Sequence, residues 1–407
     1  MEIFKNKWLL VALFVLIASV LFSGCNHDNS VDNPVPVAKR GDLIKVEQRA
    51  EFSPDVLNAL ALSYGLTLNI DFSVKAYRIE YRTVDLNEIP IIASGLLIVP
   101  VKNDTLPIVS YQHPTCFTKS EGAYSDIASI FAEGYGPALY GMAVFISDYI
   151  GFGASSAAFH PYLIKKAYGN ACVDMLRAGC SFFDSSSIKY DKNIFLMGYS
   201  EGGYATIALA NEIEQYYNGE FSIKACSAGG GAYNIIKTTE YYTNADTAAY
   251  PAYLAYVLKS YKEYFNIGIG IDAVFNMPYS ARIDSLFDGY HSGEEINEAL
   301  SYKPQELFRA SFINGFNGSE FQSLKNPLTS NSIYEFLPEA PLLLGHAKYD
   351  ECVPYFNSLD FYNSLMENGK TNVVMIDNNS PAMRHAAYAT EWYMTTMILF
   401  KAIESSK

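Results

Sequence analysis

Ile194-Phe195-Leu196-Met197-Gly198-Tyr199-Ser200-Glu201-Gly202-Gly203-Tyr204-Ala205-Thr206-Ile207-Ala208-Leu209-Ala210 decides how the rest of the chain is read. Four consecutive apolar residues enter a Gly-x-Ser-x-Gly pentapeptide, and a stretch of Ala, Thr, Ile and Leu leaves it. That order predicts a buried strand, a tight turn and a helix. In a chain with 27 glycines the bare pentapeptide is a weak signal, and the frame around it makes it a strong one. A serine at such a turn is held in a strained backbone conformation. Gly198 and Gly202 omit the side chains that would collide across it.

Outward from this segment, short apolar runs recur at Pro107 to Tyr111, Met142 to Ser147, Ile223 to Ala228, Pro341 to Gly345 and Val373 to Ile376. Helical periodicity between them, in Ala167 to Phe183 and Gly202 to Tyr216, predicts a mostly parallel sheet covered by helices on both faces. Upstream, residues alternate through Tyr77 to Thr83, break at Leu86-Asn87-Glu88 and resume from Ile91 to Val99, the pattern of a β-hairpin. Between Tyr233 and Glu339 the strand rhythm stops. This Tyr- and Phe-rich stretch contains Tyr241, Tyr242, Tyr253, Tyr256, Tyr261, Tyr264 and Phe265. At about a hundred residues it is too long for an ordinary loop, which predicts an inserted, mainly helical cap over residues 233–339 and a core of 51–232 and 340–407.

A serine hydroxyl becomes a nucleophile when a base takes its proton, and a carboxylate must fix the base's tautomer. After a nucleophile at this kind of turn, the acid and then the histidine follow in the chain. Of six histidines, His27 lies near the N-terminus, His113 and His160 precede the serine, His291 falls in the insertion, and His346 ends a strand just before the candidate acid. His385, in the loop after the last strand, remains as the base, with His346 read as structural. Asp350, just past the strand Pro341 to Gly345, is the acid; Asp377 is its rival, and Asp148 ends an earlier strand. The oxyanion needs backbone donors. One is the N–H of Glu201. The second comes from Gln112-His113-Pro114-Thr115, where Pro114 has no N–H and leaves Thr115 as the donor. His113 is read as ordering that loop.

Half the residues are hydrophobic, 18% are charged and the formal net charge is −14, a balance unsuited to nucleic acid as partner. Lys5 and Lys7 precede an apolar run from Trp8 to Phe22, and Ser23-Gly24-Cys25 follows, the layout of an export signal over residues 1–25. The tripeptide resembles a bacterial lipobox, in which Cys25 is lipidated and anchors the protein in the cell envelope, at the bacterial outer membrane; simple secretion and an uncleaved anchor are the alternatives. Residues 26–50 read as a flexible tether, polar and Pro-containing over Asn26 to Arg40. Cys116, Cys172, Cys180, Cys226 and Cys352 form no C-x-x-C pair, so their spacing does not point to a zinc site. Cys352 is read as a small buried residue rather than a nucleophile.

Asp148-Tyr149-Ile150-Gly151-Phe152-Gly153-Ala154-Ser155-Ser156 and His160-Pro161-Tyr162-Leu163, with Gly198 to Gly203 and the Asp350 and His385 segments, resemble the secretory lipase group of α/β-hydrolases. These are cap-bearing fungal and bacterial enzymes that cleave carboxylic esters. The resemblance runs from about Ala76 to the C-terminus and is weakest in the insertion. Members often carry Gly where Pro114 stands, a departure within the oxyanion loop. The resemblance implies the α/β-hydrolase fold and a lipase or esterase acting on small-molecule or lipid esters, with no metal or organic cofactor. A serine peptidase or polysaccharide deacetylase shares fold and triad. A non-catalytic binding protein on this scaffold would typically lack one triad member, whereas each role has a candidate here.

Overall fold

The continuous apolar runs become the inner strands of one sheet. The computed structural model describes residues 39–63, 65–122, 135–316 and 318–406. Within them β1 (Leu43–Phe52), β2 (Val74–Val84), β3 (Pro90–Pro100), β4 (Ile108–Gln112), β5 (Ala143–Ser147), β6 (Asn193–Tyr199), β7 (Ser222–Gly229), β8 (Leu342–Ala347) and β9 (Val373–Asn378) form a nine-stranded sheet in the order β1-β2-β3-β5-β4-β6-β7-β8-β9. From β5 through β9 all neighbours are parallel. β2 and β3 are the expected hairpin, paired from Val74 opposite Pro100 to Val84 opposite Pro90.

One expectation is corrected at the N-terminal edge. The latter part of the anticipated tether enters the sheet: β1 runs antiparallel to β2, with Val46 opposite Ile79 and Ala50 opposite Ala76. Lys45, Glu47, Arg49 and Glu51 alternate along it, so the polarity is that of an edge strand with one face in solvent. Such charges discourage further strands from adding there. Arg40 also bonds inward, its Nε 3.0 Å from Asp174 and its Nη2 3.0 Å from the Asn170 amide oxygen. The described fold therefore includes residues ahead of Glu51, from Arg40 through β1. Cys25 and residues 26–38 lie outside the described residues.

Both faces of the sheet are covered, and β6 shows how. After helices α1 (Pro54–Ser63) and α2 (Tyr135–Leu139) come α3 (Lys165–Ser185) and α4 (Glu201–Glu212), and at the C-terminus lies a long helix over His385–Ser405. Alternation along β6 sends Phe195 onto Phe400 and Tyr199 onto Trp392 of that last helix, at centroid distances of 4.5 and 5.3 Å. Gly198, of the opposite phase, faces α4, where a Cβ would stand 2.3 Å from the Gly202 carbonyl oxygen. Phe145 of β5 packs edge-on against Phe183 of α3.

Between β7 and β8 no strand of the sheet occurs among the described residues. The segment holds α5 (Ile235–Asn244), α6 (Pro251–Tyr264), short turns of helix at Ile271–Val274 (α7), Ile283–Leu286 (α8), Gly293–Ala299 (α9), Pro304–Leu307 (α10) and Ala310–Gly315 (α11), then α12 (Gln322–Asn331). The Asn234 side chain accepts the Lys237 N–H and caps α5, Pro251 starts α6, and Ser292 with Glu295 forms a capping box on α9. α13 (Phe356–Glu367) and the C-terminal helix, α14, complete the chain.

Candidate active site

Ser200 follows β6 directly and precedes α4, with φ 60° and ψ −122°. A non-glycine residue holds that conformation only where its surroundings over-determine it. Its N–H donates to the Gly229 carbonyl at 2.8 Å, and its own carbonyl accepts from Gly203 and Tyr204 as α4 begins. The flanking glycines are sterically required. A Cβ on Gly202 would lie 2.0 Å from the Gln112 carbonyl oxygen, and one on Gly203 2.5 Å from the Gly229 carbonyl oxygen.

Asp350 sits in the loop after β8. Its Oδ1 accepts the Cys352 and Val353 N–H groups at 2.8 and 2.7 Å, and its Oδ2 lies 2.6 Å from His385 Nδ1. Burial opposes the ionised carboxylate, yet the His385 ring and hydrogen bonds from His346 and His385 outweigh it and hold Asp350 well below the usual carboxylate range. His385 opens α14, and its Nε2 lies 2.9 Å from Ser200 Oγ. The His385 N–H donates to Glu351 Oε2 at 3.1 Å, and its carbonyl accepts the Tyr199 hydroxyl at 2.8 Å. Ser200, His385 and Asp350, drawn from three strand ends, are thus brought into one hydrogen-bonded line. Asp377 is elsewhere, taking the Tyr355 hydroxyl and lying 3.2 Å from Lys348.

His346 is fully buried, with Nδ1 2.7 Å from Ser358 Oγ and Nε2 2.9 Å from the Val353 carbonyl and 3.3 Å from Asp350 Oδ2. Its contacts to Val353 and Asp350 brace the loop after β8. His113 is likewise buried, stacked on Tyr149 at 3.9 Å, with Nδ1 2.8 Å from the Pro114 carbonyl. Thr115 Oγ1 shares a 3.0 Å hydrogen bond with the Tyr162 hydroxyl. Glu201 contributes the first backbone N–H of α4, which has no carbonyl a turn earlier to meet it.

Some neighbours carried no sequence signal. The Glu201 carboxylate points into the protein, where Oε1 lies 2.8 Å from His160 Nε2 and accepts the Tyr168 hydroxyl at 2.9 Å. The glutamate directly after the serine and the histidine 41 residues earlier were both visible in the sequence; their pairing was not. Glu351 was equally silent, whereas Tyr162 was noted only as part of the His160-to-Leu163 segment of the resemblance, with no contact assigned to it. The five cysteines of the described residues are buried. Ligand atoms of Asp350, Cys352 and His385 fall within 4.8 Å of one another. Burial pushes the Cys352 thiol up, and both Asp350 oxygens already accept hydrogen bonds.

Known proteins resemble this chain in sequence and in fold. The secretory lipase family model matches residues 135–392. A secreted triacylglycerol lipase of Malassezia globosa is 26% identical over 328 residues, covering 76% of this chain and 68% of its own. A solved structure from Legionella pneumophila superposes with a TM-score of 0.79 at 28% identity, covering 89% of this chain and 98% of that one. The rice cell wall degrading esterase LipA of Xanthomonas oryzae shares the fold, with a TM-score of 0.76 at 24% identity and coverage of 88% and 95%.

Proposed function

Because the chain belongs to the secretory lipase family and is a carboxylic-ester hydrolase of the α/β-hydrolase fold, we propose that Ser200, His385 and Asp350 hydrolyse its ester through an acyl-enzyme. The observation that carries this reading is the pair of contacts through His385, 2.9 Å from Nε2 to Ser200 Oγ and 2.6 Å from Nδ1 to Asp350 Oδ2. Ser200 Oγ attacks the carbonyl carbon as its proton passes to His385 Nε2. Asp350, ionised, accepts Nδ1–H, which fixes the tautomer and steadies the imidazolium. The N–H groups of Glu201 and Thr115 receive the developing oxyanion; the Thr115 hydroxyl, tied to Tyr162, helps hold that loop. Collapse breaks the bond to the alcohol oxygen, which takes the proton from His385. Water then repeats the sequence and frees the acid.

The helical insertion acts as the cap of this site, since α5 and α6 line the cavity at Ser200. Export, with anchoring through Cys25, rests on the lipobox-like Ser23-Gly24-Cys25. A fluorophosphonate should label the wild-type protein at one serine and leave Ser200→Ala unlabelled, with ester hydrolysis falling at least about a thousandfold. Undiminished turnover by the folded variant would refute the assignment.

A further inference from the structure

A small, partly open cavity of about 40 Å³ lies against Ser200, walled by Ile235 and Thr239 of α5, Leu254 and Val257 of α6, and Leu163 and Val353 of the core. We propose that this cavity is the acyl site and that it restricts the protein to esters of short, uncharged acyl groups, from acetyl to about butyryl. The inference rests on the hydrolase reading and narrows its substrate.

Size is the first argument. A water-sized group needs roughly 10–15 Å³ of such space, so the cavity holds about three beyond the carbonyl carbon at Ser200. Polarity is the second. None of the lining side chains is charged. The threonine hydroxyls are already engaged, Thr238 donating to the Asn234 carbonyl and Thr239 to the Ile235 carbonyl. An anionic acyl group would meet no cationic side chain there.

The third argument is that the walls are fastened. Tyr242 of α5 donates its hydroxyl to the Cys352 carbonyl at 2.6 Å, tying the insertion to the loop that holds Asp350. Tyr261 of α6 donates to the Leu163 carbonyl at 2.9 Å. Leu254 and Val257 are 8% and 6% exposed, so an octanoyl chain would have to displace close-packed side chains. The small space is therefore a feature of the packed structure, braced from two helices.

The test is kcat/KM of the purified protein on p-nitrophenyl esters from acetate to palmitate. The expected optimum lies between two and four carbons, with at least a tenfold fall by octanoate. Leu254→Ala and Val257→Ala, which enlarge the cavity, should each raise octanoate relative to butyrate at least fivefold. A wild-type optimum at octanoate or beyond overturns the proposal, as does an unchanged profile in both folded variants, and either result leaves the hydrolase reading standing if fluorophosphonate still labels Ser200. Absence of both labelling and hydrolysis at every chain length would overturn the two together.

Discussion

His113 is a histidine without a route to the substrate, and its environment makes it a pH sensor of stability. Burial, together with the neighbouring His160, lowers its pKa from 6.5 to about 4 against the pull of Glu201. Between those values the unfolded chain binds a proton that the folded chain refuses, so this contribution is complete above pH 6.5 and is lost as pH falls through 4. It amounts to about 3 kcal/mol. Urea denaturation at pH 7 and pH 4.5 should show His113→Gln losing about 2 kcal/mol less than wild type over that interval; equal losses would contradict the assignment. Asp350, depressed in the opposite sense of charge, surrenders its contribution only below the ordinary carboxylate range, outside this window. The catalytic candidates themselves were legible because each stands just past a recognisable strand: Ser200 after β6, Asp350 after β8, His385 beyond β9. The Glu201–His160 pair was not, since its partners meet across two loops with no periodic spacing between them.

At the scale of elements, the turn between β6 and α4 is fixed by the absence of atoms. Gly202→Ala would drive a methyl group into the Gln112 carbonyl at the end of β4, and backbone cannot rotate away as a side chain can. Because Gln112 leads into the Thr115 loop, the strain reaches both halves of the proposed oxyanion site. We expect a lower melting temperature, equivalent to about 1–3 kcal/mol, and at least a hundredfold loss of ester hydrolysis. A variant with native melting temperature and rate would show that the turn relaxes freely. The inner strands were readable from sequence as unbroken apolar runs bounded by helical periodicity. β1 was not, because alternating Lys, Glu and Arg look like a solvated tether until an edge position accounts for them.

The whole molecule depends on that edge. Asp174 is fully buried and is held by Arg40 from the N-terminal segment and by Arg177 of its own helix, with Thr83 of β2 also donating to it. A chain starting at Lys39 retains Arg40 and β1 and should keep its melting temperature and esterase rate; on the proposed anchoring through Cys25, Cys25→Ala should release the protein from membranes with both intact. A chain starting at Ser53 loses Arg40 and bares the edge of β2; it should aggregate or melt well below the others. Equal behaviour of the two truncations in thermal melts would show β1 to be dispensable. The insertion presents the reverse case. It leaves the sheet at Gly229 and returns at Leu342, and those ends belong to adjacent strands, with Gly229 opposite Gly345 and the Gly230 N–H donating to the Gly345 carbonyl at 2.8 Å. To the sheet, more than a hundred residues are a single loop whose closure cost grows only with the logarithm of its length. A lineage can lengthen, trim or exchange that excursion while β6, β8 and the C-terminal helix keep their register, so the choice of substrate is free to diverge while the chemistry stays in place.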